Sequence, residues 1–305
     1  MTPNLYGAAG APREAVYVKE LRLNAYAKVN LGLNVLERRD DGFHEVETIL
    51  HTIALHDEIT LREAGEGVRV VADTAEVPTG PNSPIYRAAA LLREEHRIAR
   101  PVEIEVRKRI PIAAGLGGGS ADAAVTLMGL AQLWKLRLDG RELSALAGRV
   151  GSDVPFFLGG GAAVARGRGE RVQRLPALPT TWVVLARPRI PVLTEWAYRQ
   201  IRPAEIVRRP DIPALIEAIT RRDVPAVGRL LGNVFEEVIA AHHPIVAEVK
   251  TRILRGEAYG ATMTGTGPTV YGLMANEAAA RRVAEDLTTM DNLDVIVTRT
   301  FAEER

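Results

Sequence analysis

Pro111-Ile112-Ala113-Ala114-Gly115-Leu116-Gly117-Gly118-Gly119-Ser120-Ala121 stands between a strand pattern and a helix pattern. Before it, Ile104 and Val106 alternate with Glu103, Glu105 and Arg107, the period of a half-buried strand. After it, Ala123, Leu127, Leu130, Ala131 and Trp134 recur at helical spacing. A tight turn or a helix cap needs one or two glycines, and here four fall in the five positions from Gly115 to Gly119. Such a loop lets backbone N–H groups close on phosphate oxygens, the helix N-terminus adds partial positive charge, and Ser120 supplies a hydroxyl. The Walker pattern fails because no lysine follows these glycines, and G-x-G-x-x-G fails because its last place is Ser120. A P-loop enzyme and a dinucleotide dehydrogenase are both disfavoured.

Upstream, Leu21, Leu23, Ala25, Ala27, Val29, Leu31, Leu33 and Val35 are apolar at spacing two, which predicts a long strand with one buried face. Tyr26, Lys28 and Asn30 share the other face, and Gly32 is the expected break. Taken alone, Lys28 reads as an exposed lysine on that solvated face. Further strands are expected over 43–61 and 68–72, and helices over 85–97 and from Asp139, which pairs with Glu142 like a capping box, to about Val150. Asp153 precedes Val154-Pro155-Phe156-Phe157-Leu158. It reads either as a turn or cap aspartate or as a carboxylate at an apolar wall, suited to take a proton from a hydroxyl. The second half predicts a strand at 182–186, helices at 194–203, 211–221 and 234–254, a hairpin around Gly265-Thr266-Gly267-Pro268, a helix at 277–288 and a strand at 294–300.

Composition narrows the classes. At roughly 150 residues per domain, 305 residues suggest two domains, with the boundary near residue 176 and a flexible extension over 1–15. Lys and Arg number 39 against 38 Asp and Glu, so no global charge argues for nucleic acid or an anionic membrane. Cysteine is absent, which excludes disulfides, thiol nucleophiles and Cys-ligated metals. His44-Glu45 begins like a zinc-protease motif, but the next histidine is His51, and no metal is assigned to His51, His56 or His242-His243. No signal peptide or membrane-spanning run is evident, so a cytoplasmic protein is the expectation.

The glycine run and Gly265-Thr266-Gly267-Pro268 resemble motifs of the GHMP kinases, the galactokinase, homoserine kinase and mevalonate kinase superfamily. Ala25-Tyr26-Ala27-Lys28-Val29-Asn30-Leu31, Asp41-Gly42-Phe43-His44 and Gly151-Ser152-Asp153-Val154-Pro155-Phe156-Phe157 narrow the resemblance to the branch whose acceptor is 4-diphosphocytidyl-2-C-methyl-D-erythritol, over about residues 21–300. The resemblance implies an α+β chain with an N-terminal ribosomal-protein-S5-domain-2-like half (16–176) and a ferredoxin-like C-terminal half (177–305), with ATP between them. It implies ATP and Mg²⁺ as cofactors and a cytidine diphosphate-linked polyol as substrate, phosphorylated on its 2-hydroxyl. Lys28 and Asp153 become the catalytic pair. Pro111, Ile112, Ala113, Ala114, Gly115, Leu116, Gly117, Gly118, Gly119, Ser120 and Ala121 become the ATP phosphate site, with Asn82 and Lys108 nearby. Asn30, Phe43, His44, Thr194 and Tyr198 become the acceptor site, with Phe43 and Tyr198 sandwiching the cytosine and Tyr26 standing behind Lys28. Phe43 replaces a usual tyrosine, Ala121 a common serine and Ser152 a usual alanine. The alternatives carried are a GHMP kinase for another alcohol, of homoserine or mevalonate type, and a nucleotide-binding protein without catalysis.

Overall fold

A computed structural model describes residues 20–302; the expected extension over 1–15 lies outside them. Strands β1 (Glu20–Arg38) and β2 (His44–Arg62) form one long antiparallel ribbon, followed by β3 (Val68–Ala72), helix α1 (Pro84–Glu95) and β4 (Val102–Arg107). Helix α2 (Gly118–Leu133) springs from the glycine loop, and α3 (Gly140–Val150) follows, with Asp139 capping the N–H groups of Arg141 and Glu142. A one-turn helix α4 (Val154–Phe157) then leads into β5 (Ala162–Gly167) and β6 (Arg171–Leu175). The second half runs β7 (Trp182–Pro188), α5 (Thr194–Gln200), α6 (Ile212–Thr220), α7 (Val224–Leu230), β8 (Gly232–Asn233) and α8 (Phe235–His242). It ends with α9 (Ile245–Arg255), β9 (Ala258–Met263), β10 (Val270–Met274), α10 (Glu277–Leu287) and β11 (Leu293–Arg299).

The strands make two sheets. The first has the order β3-β4-β2-β1-β8, and β5 pairs with β2 and with β6. The second is β11-β7-β10-β9, antiparallel throughout. The chain changes sheet between Leu175 and Trp182; only the two-residue strand β8 returns, to lie parallel to β1. One apolar cluster joins α1, α2, α3 and α4 to the first sheet, and another joins α8, α9 and α10 to the second. A third, including Val29, Leu31, Ile49, Leu185, Leu215 and Tyr271, fills the seam between the sheets.

Three expectations are corrected. The stretch read as one helix over 234–254 is two, because Pro244 has no N–H to continue the ladder and the turn His243-Pro244 separates α8 from α9. Gly32 does not end β1. The ribbon instead changes register beside it, between Asn30 and Gly32, and a Cβ there would meet Leu215 Cδ1 at 2.7 Å. The one-faced alternation also gives way: from Ala27 to Val35 every residue of β1 is buried. The face carrying Lys28, Asn30 and Asn34 is covered by the second half of the chain and by the glycine loop, so it is polar without being solvated.

His51 helps fasten the two halves. Its Nε2 accepts the Leu178 N–H at 3.1 Å, and its Nδ1, 2.7 Å from the Thr52 carbonyl, carries the proton. Complete burial pushes its pKa from 6.5 down to about 4. The unfolded chain therefore binds a proton between pH 6.5 and 4 that the folded chain refuses, and stability falls as pH drops through that window. Acidification from pH 7 to 4.5 is expected to cost about 2–3 kcal/mol through this residue. The difference between urea unfolding free energies at the two pH values should shrink by that amount in His51→Gln; an unchanged difference would contradict the assignment.

Candidate active site

The seam opens into a cavity of about 1450 Å³. Its lining includes every residue from Pro111 to Ser120, together with Lys28, Asn30, Phe43, His44, Lys108, Asp153, Thr194 and Tyr198. Residues predicted from positions far apart in the chain thus meet in one space. Two do not join them. Ala121 is fully buried behind the loop, because its place in the first turn of α2 points it into the core, and its N–H is bonded to the Gly117 carbonyl. Asn82 is exposed and outside the lining, although Ser83 and Pro84 beside it belong to the lining. Tyr26 does not stand behind Lys28 either: its ring stacks on Phe301 at 4.1 Å and meets the edge of His56 at 5.1 Å.

Lys28 is the best-determined group. It is 3 % exposed, and its ammonium donates to Asn30 Oδ1 at 2.7 Å and to the Gly115 carbonyl at 2.6 Å. Burial pushes its pKa down, and the charge of Asp153 opposes that shift. Two fixed acceptors therefore hold a cation in a place that solvent does not stabilise. The loop passes so close to Lys28 that a Cβ on Gly117 would meet Lys28 Cγ at 3.1 Å and Phe157 Cζ at 2.7 Å. Gly117 also caps α2 from the left-handed region, φ 71°, with no side chain over the helix N-terminus. The Gly118 and Gly119 N–H groups have no acceptor within the helix and remain available to a phosphate, whereas the Ser120 N–H is turned to the Gly117 carbonyl at 3.1 Å.

Asp153 occupies the N-cap position of α4, yet its side chain makes no capping hydrogen bond. The reading as a simple cap therefore fails. The carboxyl lines the cavity at the end of an apolar wall formed by buried Val154, Phe156 and Phe157. Its Oδ1 lies 3.3 Å from where a Cβ of Gly169 would stand, so the turn between β5 and β6 closes over it.

Asn30 lines the cavity, but its side-chain oxygen is taken up by the protein. Oδ1 accepts Lys28 Nζ, the Gly265 N–H at 2.8 Å and is 3.1 Å from Thr264 Oγ1, while Nδ2 donates to Thr48 Oγ1 at 2.8 Å. Its carbonyl accepts the buried Tyr271 hydroxyl at 2.8 Å. Thr264 Oγ1 also accepts the Asn30 N–H at 3.2 Å and lies 3.2 Å from the Gly115 carbonyl. Thr264 thus lies against both acceptors of the Lys28 ammonium, and its one hydroxyl proton bonds one of them at a time. Sequence reasoning missed this role; its only signal was the position of Thr264 immediately before Gly265-Thr266-Gly267.

The expected acceptor side is present in a different arrangement. Phe43 is 51 % exposed, with the Arg168 guanidinium 5.0 Å from its ring centre. Glu45 bonds Arg39, Arg171 and the Gly167 N–H, which ties the turn bearing Phe43 to the β5–β6 hairpin bearing Arg168. Tyr198 stacks on His44 at 5.2 Å and is edge-on to Phe235 at 4.8 Å. The Phe43–Tyr198 sandwich is therefore not closed here: each ring faces another partner. Burial and Arg38 lower the His44 pKa, so its imidazole is neutral at neutral pH. Thr194 opens α5 one turn before Tyr198 and touches Thr266 Oγ1 at 3.3 Å.

Sequence comparison places this geometry. The GHMP kinases N terminal domain model matches residues 83–161 and the GHMP kinases C terminal model matches 215–292. A 4-diphosphocytidyl-2-C-methyl-D-erythritol kinase of Pelotomaculum thermopropionicum is 43% identical over 278 residues, 91% of this chain and 96% of the relative. The Bacillus velezensis protein of the same name is 45% identical over 86% of this chain and 91% of its own. The chain belongs to the 4-diphosphocytidyl-2-C-methyl-D-erythritol kinase family. A crystal structure of a 4-(cytidine 5'-diphospho)-2C-methyl-D-erythritol kinase superposes with a TM-score of 0.78 at 35% identity, covering 92% of this chain and all of that one. A homoserine kinase from Cytophaga hutchinsonii shares the fold, with a TM-score of 0.76 at 20% identity and 98% coverage of both chains. The chain is thus a small-molecule kinase of two-domain α+β GHMP architecture. Among the described residues no helix is long and apolar enough to cross a membrane.

If Thr264 braces Lys28, Thr264→Val should lower kcat by about tenfold, the worth of a lost hydrogen bond of about 1.4 kcal/mol, at nearly unchanged KM for ATP. Thr264→Ser should restore most of it; equal losses in both variants would contradict the hydroxyl's role.

Proposed function

We propose that this kinase transfers the γ-phosphoryl group of ATP to the 2-hydroxyl of 4-diphosphocytidyl-2-C-methyl-D-erythritol, in the cytoplasm, as a step of non-mevalonate isoprenoid precursor synthesis. The observation that carries the reading is the convergence of Lys28, Asp153 and the glycine loop on one cavity beside Phe43, His44 and Tyr198. The nucleotide-binding half is residues 16–176 and the C-terminal half residues 177–305.

Asp153 is the general base: its carboxyl faces the cavity, uncommitted to helix capping, and takes the proton of the attacking hydroxyl. Lys28 acts as fixed positive charge. Its ammonium orients Asp153 electrostatically and favours negative charge on the attacking oxygen and the transferring phosphoryl. The loop from Pro111 to Ser120 holds the ATP phosphates through the N–H groups at the start of α2 and the Ser120 hydroxyl. The adenosine end extends toward Ser83, Pro84 and Ile85, which line the same cavity.

Magnesium fits as a companion of the nucleotide. Among the described residues no group of three or more His, Asp or Glu could cage a metal, and Mg²⁺ is commonly held by one carboxylate together with substrate phosphates. Asp153 is the carboxylate of this chain that would face it. When bound, Mg²⁺ supplies neutralisation of phosphate charge.

Cytosine recognition falls to Phe43, His44 and Tyr198. An aromatic face suits a planar base, and the neutral imidazole of His44 offers one donor and one acceptor to its edge. Binding would move the Phe43 ring from Arg168 to the base, and Arg168, freed, faces the acceptor's phosphates. Thr194, beside Thr266, reaches the polyol.

Asp153→Asn should lower kcat by about 10²–10⁴-fold with little change in ATP affinity, measured by ADP release and by nucleotide titration. Undiminished turnover would remove Asp153 from the mechanism. Phe43→Ala should weaken the acceptor by about 1–3 kcal/mol in the same assays, and an unchanged acceptor affinity would remove the stacking role.

A further inference from the structure

Beneath the phosphate loop lies a buried group of charges for which phosphoryl transfer has no evident use. Lys108 donates to Asp122 Oδ2 at 2.8 Å and to Asp57 Oδ2. Asp57, fully buried on β2, fixes its other oxygen on the N–H groups of Arg109 at 2.6 Å and Ile110 at 2.8 Å. Asp122, 1 % exposed on α2, has no such anchor: its Oδ1 is buried without a hydrogen-bond partner. Lys108 Nζ stands 3.3 Å from the place a Cβ would take on Gly118, directly under the first turn of the helix that receives the phosphates. Lys108, Gly118 and Asp122 all line the cavity.

Two carboxyl groups around one ammonium leave a surplus negative charge when both acids are ionised. That charge sits where a polyanion must bind. A buried carboxylate oxygen without a donor is itself costly, and a proton on Asp122 removes both penalties at once. We propose that Asp122 is a positioning residue for the nucleotide phosphates that acts through Lys108, and that nucleotide binding is coupled to proton uptake on Asp122. Other groups around it agree. Burial raises the Asp122 pKa, Lys108 from the β4–α2 connection opposes that and Asp57 from β2 adds to it, pushing it up to about 7. Burial alone would lower the Lys108 pKa, but Asp122 and Asp57 hold it raised, so the cation persists. Lys28 on β1 lies on the far side of Gly117, and α1, α3 and α4 contribute apolar residues such as Ala88, Leu146 and Val154 to the core around α2. An arriving phosphate draws on Lys108 and repels an ionised Asp122, and both effects favour the protonated acid.

The inference rests on the reading of this loop as the nucleotide site, and calorimetry with Mg²⁺-free ADP separates the two. Titrations at pH 7 in two buffers of different ionisation enthalpy count the protons taken up. The wild type should take up a fraction of a proton more than Asp122→Asn; titration of ADP itself is common to both proteins and cancels. From pH 6.5 to 8.5 wild-type affinity should fall about 3–10-fold relative to Asp122→Asn. Adenosine, which lacks phosphates, should bind the wild type without proton uptake, a control that needs no variant. Equal uptake by wild type and variant, or uptake with adenosine equal to that with ADP, would overturn the inference alone. Failure of ADP to bind the wild type would overturn the nucleotide reading with it.

Discussion

Gly115 and Gly265 bring two backbones closer than any side chain would permit. A Cβ on Gly115 would fall within the Thr264 carbonyl, and one on Gly265 would lie 2.9 Å from Gly115 Cα. Both residues have positive φ, 74° and 58°, so glycine is required for conformation as well as for space. This contact joins the glycine loop of the first half to the glycine turn of the second. Lys28 is held at the junction: its ammonium bonds the Gly115 carbonyl from one side and Asn30 Oδ1 from the other, and Thr264 touches both acceptors. The seating of the two halves and the placement of the Lys28 cation are therefore one arrangement.

Electrostatics follows from the same closeness. A kinase that binds ATP must offset several negative charges where it does so. The chain has 5 lysines, and two of them stand here, Lys28 buried and Lys108 partly buried, each held by fixed oxygen acceptors. Acceptors carry the cost of their burial, neutral ones for Lys28 and carboxyls for Lys108. Further positive potential comes from the backbone at the start of α2 and from Arg38, Arg168, Arg199 and Arg202, which also line the cavity; Arg168 lies on Phe43. Buried charge sits beside the glycine loop, and an exposed aromatic and guanidinium pair stands at the other side of the cavity.

Much of this was legible in the sequence. Glycine density between a strand and a helix marks the loop that lines the cavity, and the alternation around Lys28 announces its strand. What periodicity could not express is the second cover. It gives one buried face to β1, yet the residues from Ala27 to Val35 are buried on both, because segments from the second half lie across Lys28 and Asn30. For the same reason Ala162 to Ala165 in β5 carries no alternation, being buried on both faces, and was not anticipated as a strand. Asp57 and Asp122 look like ordinary acids in a strand and a helix; their importance depends on Lys108 arriving between them from a third segment. Thr264 and Asn30, 234 residues apart, meet only through the fold. Family resemblance supplied residue identities that physics alone left open, and the structure shows which of those side chains are already engaged with the protein.

The most direct test is ADP release with ATP, Mg²⁺ and one of four acceptors: 4-diphosphocytidyl-2-C-methyl-D-erythritol, mevalonate, homoserine or galactose. Turnover with the cytidine-linked acceptor alone is the predicted result. Turnover with another of the four in its place would contradict the acceptor site built on Phe43, His44 and Tyr198, and turnover with none would contradict catalysis by Lys28 and Asp153.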